Sequence, residues 1–262
     1  MPEGHTIHRL ASGLRLTLEG APVRASSPQG RFTAGAALLD GTLLRRASAW
    51  GKYLFVAFDD GRVLHVHLGL IGKFREKPAA EAPPETARLR LANEHVAWDL
   101  TGPSTCEVIT SAEQREICSR LGADPLRARA DLTRARQAFA RSAKPIGAIL
   151  LDQGVIAGLG NIYRAEILFL CGIHPLRPAR RLDDAGFEAV WAESVRLLRI
   201  GRRTGRIITT DPAEIGRPRS RMRPEDTLYV YHRDHCRRCG TEIRTLELAG
   251  RPLQFCPTCQ PD

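Results

Sequence analysis

Between residues 3 and 18 the side chains Ile7, Leu10, Leu14 and Leu18 recur every three to four positions, and Gly20 with Pro22 ends the run. That spacing predicts an amphipathic helix at the start of the chain. The period then changes. Apolar stretches around residues 23–27, 43–58, 62–68 and 88–100 are broken at Asp40-Gly41, at Asp59-Asp60-Gly61 and by a polar, Pro-bearing stretch over 76–85, and they predict strands. In 62–68, Val63 and His65 alternate with Leu64, Val66 and Leu68, the pattern of a half-buried strand. Beyond about Ser111 turn residues become sparse and the three-to-four spacing returns until about Gly201, predicting helices near 112–121, 132–140, 145–152, 162–171 and 183–200. Residues 201–224 are Arg-rich and hold Pro212, Pro218 and Pro224, a mobile basic loop or a linker. Strand-like sequence resumes at 241–248 and 253–255. The fold class is α+β and multidomain: an N-terminal helix plus β-sandwich over 1–110, a helical domain over 111–225 and a small hairpin unit over 226–262.

Charge changes the picture. The 262 residues carry 39 Lys+Arg against 29 Asp+Glu, a net charge of +10, which points to a polyanionic partner, usually nucleic acid. Aromatic residues at 6% argue against a long stacking groove and for phosphate contacts. Hydrophobic residues at 43% exclude wholesale disorder. The longest apolar stretches, such as 146–151, fall well short of the roughly 20 residues that cross a bilayer. Glu3, His5 and His8 stand where a secretory peptide needs an apolar run, so a cytoplasmic protein is expected, with no membrane partner and with any nucleoid association arising through nucleic-acid binding.

Seven cysteines include Cys236-x-x-Cys239 and, sixteen residues on, Cys256-x-x-Cys259. Four thiolates at this spacing fit one tetrahedral structural zinc ion on a two-stranded hairpin. His232 and His235 could substitute as ligands, but the cysteine set is complete. Cys106, Cys118 and Cys171 read as small buried apolar residues. His65 and His67 share a strand face without a third ligand nearby, so an interior or groove-facing role outweighs a metal pair.

Removal of Met1 would give Pro2 a terminal secondary amine. With a pKa near 7.7–8.0 against about 10.4 for lysine, roughly 300-fold more of it is unprotonated at neutral pH. Attack on the anomeric carbon of a deoxyribose would yield an iminium, an electron sink for eliminating the sugar's phosphates. Glu3 could move protons beside it, or serve only as a first-turn glutamate favourable to the helix dipole. Further on, Gly158 and Gly160 permit close backbone approach to a ligand, and Asn161 could cap the next helix and donate to a phosphate.

The terminal Pro2-Glu3-Gly4, the stretch Trp50-Gly51-Lys52-Tyr53-Leu54, the stretch His67-Leu68-Gly69-Leu70-Ile71-Gly72, the segment through Asn161 and the cysteine hairpin with Gly250-Arg251 together resemble the formamidopyrimidine-DNA glycosylase and endonuclease VIII family, from end to end and in one order. The resemblance implies a helix-two-turns-helix motif around Asn161 and a bifunctional DNA glycosylase and abasic-site lyase. It implies Pro2 as nucleophile, Glu3 as proton-transfer residue, Lys52 as a phosphate contact beside the lesion, Asn161 and Arg251 as backbone clamps, and Leu70 as the wedge that fills the gap left by an extruded nucleotide. A core leucine is the plain alternative for Leu70. The Arg and Phe that the formamidopyrimidine branch carries after the strand ending near Asp99 are missing from Leu100 to Cys106. That points to the endonuclease VIII branch and to oxidised pyrimidines, and the lyase step through the Pro2 iminium is expected to run by β,δ-elimination. The alternatives are oxidised purines, or a lesion-binding relative without turnover. Thr6 stands where many relatives carry a second glutamate, and His5 could replace it or cap the first turn. A monomer acting on damaged duplex DNA, and on bubble or single-stranded DNA, is expected.

Overall fold

The computed structural model describes residues 2–262. Its contacts divide the chain into two units, one ending at Arg120 and one spanning Leu121–Asp262. No helix among the described residues is long and apolar enough to cross a membrane.

In the first unit, α1 (Gly4–Leu18) buries Ile7, Ala11, Leu14 and Leu18, the face its periodicity predicts. After β1 (Arg24–Ser26) and the short α2 (Thr33–Leu39) come β2 (Leu44–Trp50), β3 (Tyr53–Phe58), β4 (Arg62–His67), β5 (Lys73–Pro78), β6 (Ala87–Ala92), β7 (Val96–Thr101) and β8 (Thr105–Thr110). They form two four-stranded antiparallel sheets, ordered β1-β6-β7-β5 and β2-β3-β4-β8. Alternate residues Leu54, Val56, Leu64 and Val66 share one core with Leu89, Leu91, Trp98 and Leu100, as a sandwich requires. Helix α1 joins this core closely. A Cβ at Gly13 would lie 2.7 Å from the Trp98 ring, so only glycine lets the helix rest on the indole, whose Nε1 donates to Thr17 Oγ1 at 3.0 Å. The stretch read as a polar loop begins as the edge strand β5, which buries only Phe74. Helix α3 (Ser111–Arg120) closes the unit and buries none of its residues.

The second unit holds α4 (Thr133–Arg141), α5 (Ile146–Ile149), α6 (Asn161–Leu170), α7 (Asp184–Thr204), α8 (Pro212–Ile215) and the hairpin β9 (Arg244–Leu248) with β10 (Arg251–Phe255). Asp183 caps α7 by accepting from Gly186 N at 2.9 Å, and Gly205 ends it at φ 72°. Ile146, Ile149, Ile167, Leu168, Val190 and Leu197 pack in one core with Leu253 and Phe255 of the hairpin. The Arg-rich segment is folded rather than a loose linker. It contains α8 and two 3-10 turns, Arg219–Arg221 and Pro224–Asp226, and is pinned by buried Met222.

Candidate functional site

The residues singled out by sequence fall into two groups, one in each unit. Pro2 is half-buried and precedes Glu3, the N-cap residue of α1, whose backbone is extended (φ −121°, ψ −179°). Glu3 is 0% exposed, yet its side chain makes no cap hydrogen bond. His5 is also buried, and burial, helped by the positive charge of the chain terminus, lowers its pKa to about 4. It is therefore neutral near pH 7 and carries no proton to give as a substitute acid; its Nε2 lies 3.2 Å from Thr6 Oγ1. The state of Met1, on which the amine of Pro2 depends, lies outside the described residues.

Lys52 sits in the two-residue turn between β2 and β3, closed by the pair Trp50 and Tyr53, with Gly51 at φ 56°. Burial, then the charge of Lys52, lowers the pKa of His67 at the end of β4, so the ammonium and the imidazole share one locality. Gly69 N donates to His67 Nδ1 at 3.2 Å, and Ser104 Oγ lies 2.8 Å from the same nitrogen. Nδ1 thus accepts, and the neutral ring carries its hydrogen on Nε2. His65 instead lies between Tyr53 and Phe55, at 5.4 and 5.1 Å between ring centroids, and bonds Glu107 Oε1 at 2.8 Å. Among the described residues the two histidines belong to no metal-ligating cluster.

Leu70 follows in a tight turn, where Gly69 has φ 65° and Gly72 N donates to Leu68 O at 3.0 Å. Leu70 is 60% and Ile71 78% exposed, which overturns the reading of Leu70 as a core residue. Two adjacent aliphatic side chains are thereby presented to solvent. The connection from β7 to β8 beside them is three residues, Gly102-Pro103-Ser104, leaving no room for a longer inserted loop.

In the second unit Asn161 and Arg251 are brought together. Asn161 is 5% exposed and is the first residue of α6, not its cap; Gly160 holds that position with extended backbone. The expected capping role is therefore corrected. The Asn161 Nδ2 donates instead to Pro252 O, at 2.8 Å, in the hairpin. Three residues on, Arg164 is 0% exposed; its Nη1 donates to Gly147 O at 3.1 Å and Leu248 O at 3.2 Å, and its Nη2 to Arg251 O at 3.2 Å. One guanidinium thus spans the Ala249-Gly250 tip, with φ 55° and 69°, and fixes the backbone from which the half-buried Arg251 projects. The buried Glu166 accepts from Tyr229 N, Val230 N and Tyr231 N at 2.8, 2.9 and 2.9 Å and from the Thr209 hydroxyl. The turn ahead of α6 is braced by Gln153, which donates to Leu151 O and Leu159 O and accepts from Gly158 N.

The sulfurs of Cys236, Cys239, Cys256 and Cys259 lie within 4.8 Å of one another, with 3.9 Å for Cys236 to Cys259 and 3.4 Å for Cys239 to Cys256. Zinc-to-sulfur bonds of about 2.3 Å in a tetrahedron give edges near 3.8 Å, so the donor set fits one zinc ion. With four protein ligands the ion is structural and leaves no position for an activated water. His232 and His235 are outside this cluster. Gln260, 0% exposed, accepts from Cys256 N at 3.0 Å and donates to Ile173 O at 2.9 Å, joining the metal loop to the end of α6. Sequence reasoning missed Arg164, Glu166 and Gln260.

Known proteins share this arrangement. The formamidopyrimidine-DNA glycosylase N-terminal domain matches residues 1–108, the formamidopyrimidine-DNA glycosylase H2TH domain residues 121–212, and the zinc finger found in FPG and IleRS residues 235–261. Endonuclease 8 1 of Mycobacterium tuberculosis is 46% identical over 267 residues, covering 99% of this chain and 100% of the relative. A formamidopyrimidine-DNA glycosylase of Parasynechococcus marenigrum is 32% identical over 274 residues, covering 99% of each. Lactococcus lactis Fpg, solved in complex with DNA containing N7-benzyl-Fapy-dG, superimposes with a TM-score of 0.81 at 25% identity over 100% of both chains.

Proposed function

Because the chain belongs to the formamidopyrimidine-DNA glycosylase and endonuclease VIII family, whose members are DNA glycosylases with abasic-site lyase activity, we propose that it excises oxidised pyrimidines through a Schiff base on Pro2. The freed amine of Pro2 attacks C1′ of the damaged nucleotide and the base departs. Ring opening, with a proton delivered to the sugar's ring oxygen by Glu3, gives a cationic iminium. Loss of a C2′ proton expels the 3′ phosphate, a second elimination expels the 5′ phosphate, and water releases Pro2 from the sugar remnant. The position of Glu3, buried directly after Pro2 at the start of α1, supports its role. Lys52 holds a phosphate beside the lesion, while Asn161 and Arg251 grip the strand. The exposed Leu70 fills the space vacated by the extruded nucleotide. The enzyme acts as a monomer, on duplex DNA and also on bubble or single-stranded DNA.

The observation that carries the pyrimidine reading is the three-residue Gly102-Pro103-Ser104 connection, which supplies neither an arginine nor a phenylalanine to read an orphaned partner base. The 32%-identical formamidopyrimidine-DNA glycosylase keeps oxidised purines as the second reading. A lesion panel in duplex, bubble and single-stranded DNA decides between them: release of dihydrouracil or thymine glycol without 8-oxoguanine is expected, and the reverse order overturns the substrate assignment. Borohydride trapping tests the chemistry. A covalent adduct is expected with the mature chain. Adding a residue ahead of Pro2, which turns its nitrogen into an amide, should reduce trapping and strand cleavage roughly a thousandfold or more. An adduct that survives this block excludes Pro2 as the nucleophile.

A further inference from the structure

Four arginines of the segment that follows α7 are committed to carboxylates. Arg217 pairs with Asp226 at 3.3 Å, Arg223 with Glu225 at 3.9 Å, Arg237 with Asp226 at 4.0 Å and Arg238 with Glu214 at 3.3 Å. Arg206 and Arg219 take part in no ion pair among the described residues. Both line one concavity of about 580 Å³, together with Arg203, Thr204, Pro218 and Ser220, and no carboxylate lines it. Arg206 is held in place by its Nη1 bond to Met222 O at 3.1 Å, and Met222 is buried. The Nε of Arg219, a residue that lines the concavity, is enclosed without any protein acceptor. A buried donor left unsatisfied is costly unless a ligand or water completes it.

The end of α7 contributes roughly half a negative charge to this locality. The guanidiniums of Arg206 and Arg219 outweigh it, and two carbonyls near its end are engaged by Gly205 N on Gly201 O and by Thr204 Oγ1 on Ile200 O. What remains is a cup lined by guanidinium donors, one of them held in place, and by no carboxylate, the requirement for a phosphate oxyanion.

We propose that this concavity is a phosphate-binding site, separate from the clamp of Lys52, Asn161 and Arg251, with Arg206 and Arg219 as its principal donors. Its ligand is either a phosphodiester of the bound nucleic acid beyond the lesion or a free phosphate compound; the first source rests on the DNA-repair reading above and the second does not.

The test compares the zinc-loaded wild type with the double variant Arg206→Gln/Arg219→Gln and with Ser220→Asp, which adds a negative charge at the mouth while keeping the Arg206 bond to Met222. Thermal unfolding and zinc content establish that the variants fold. Two titrations are made: a labelled duplex with a tetrahydrofuran site, long enough to extend past the lesion, at several salt concentrations, and inorganic pyrophosphate by calorimetry. If the ligand is a DNA phosphate, the slope of log affinity against log salt falls by about 0.9 in both variants, roughly a threefold difference between 50 and 200 mM salt, and pyrophosphate does not bind. If it is a free phosphate compound, pyrophosphate binds the wild type and is lost from both variants. An unchanged slope together with no pyrophosphate binding overturns the proposal. Borohydride trapping is read in parallel. A trapped adduct with unaltered slope and no pyrophosphate binding defeats this inference alone, whereas absence of the adduct from wild type defeats the repair chemistry and leaves the pyrophosphate arm to be read by itself.

Discussion

In the first unit, Pro2 and Glu3 are placed by apolar packing: Ile7, Ala11, Leu14 and Leu18 fix α1 on the sandwich, and the proposed reactive end is the beginning of that helix. In the second unit, Asn161 and Arg251 are placed by buried polar groups, with Arg164 on three carbonyls, Glu166 on three amides and a hydroxyl, Gln260 on two backbone groups, and a metal on four sulfurs. The difference follows from size. A sandwich and a helix bury enough hydrocarbon to hold a residue by non-directional forces, but a hairpin of two five-residue strands does not. Directional bonds and zinc supply the stiffness there, and they make the second unit the more fragile to single substitutions.

Cys256→Ser should produce the largest effect on that contrast. Loss of the metal frees the hairpin, and with it the two phosphate contacts proposed for Asn161 and Arg251, at about 1–3 kcal/mol each, so affinity for abasic-site DNA should fall roughly a hundredfold while the sandwich stays folded. Zinc analysis and near-UV circular dichroism check both halves; coincident unfolding of the sandwich would erase the distinction. Arg164→Ala removes one buried cation from three carbonyls and should lower stability by about 3 kcal/mol in urea unfolding. Arg164→Lys should recover less than half of this, because an ammonium cannot reproduce the fork.

The apolar side has a pH signature instead. The folded-state pKa of His5 is about 4, below the ordinary 6.5, so the unfolded chain binds the extra proton between those values. Stability is retained above pH 6.5 and declines as pH falls towards 4, by about 3 kcal/mol from this group. In His5→Gln that part of the decline should vanish from denaturation midpoints measured across the window; an unaltered profile would show that His5 is not neutralised by burial. The smallest expected effect is at the exposed turn. Leu70→Ala should slow base release from duplex DNA about tenfold and leave single-stranded substrate unaffected. Equal slowing on both would assign Leu70 to something other than filling the stack.

Much of this was legible before any coordinates. The helical spacing of Ile7, Leu14 and Leu18, the alternation through β4 and the two Cys-x-x-Cys pairs each report a local physical requirement, and the resemblance at Pro2, Lys52 and Arg251 rests on short contiguous motifs. Strand β5 was illegible because an edge strand burying only Phe74 has almost no hydrophobic signal. Arg164 and Glu166 lie in a segment readable as a helix, but charged residues there suggest a solvated face. Most of their partners are 84 and 87 residues away for Arg164 and 63 to 65 for Glu166, the nearest being Gly147 at 17 and Thr209 at 43, and no local pattern encodes them. Leu70 was ambiguous for the opposite reason: an apolar residue at a strand end normally turns inward.

The seating of Gly13 on Trp98 has a practical corollary. The chain has three tryptophans, and this one is buried, with its indole nitrogen bonded to the last turn of the helix that follows Pro2 and Glu3. With Trp50 and Trp191 replaced by phenylalanine, its emission becomes an optical gauge of whether α1 is docked. Lifting of the helix would wet the indole and shift the spectrum to the red, and stopped-flow mixing with substrate would time that movement against the formation of the covalent adduct.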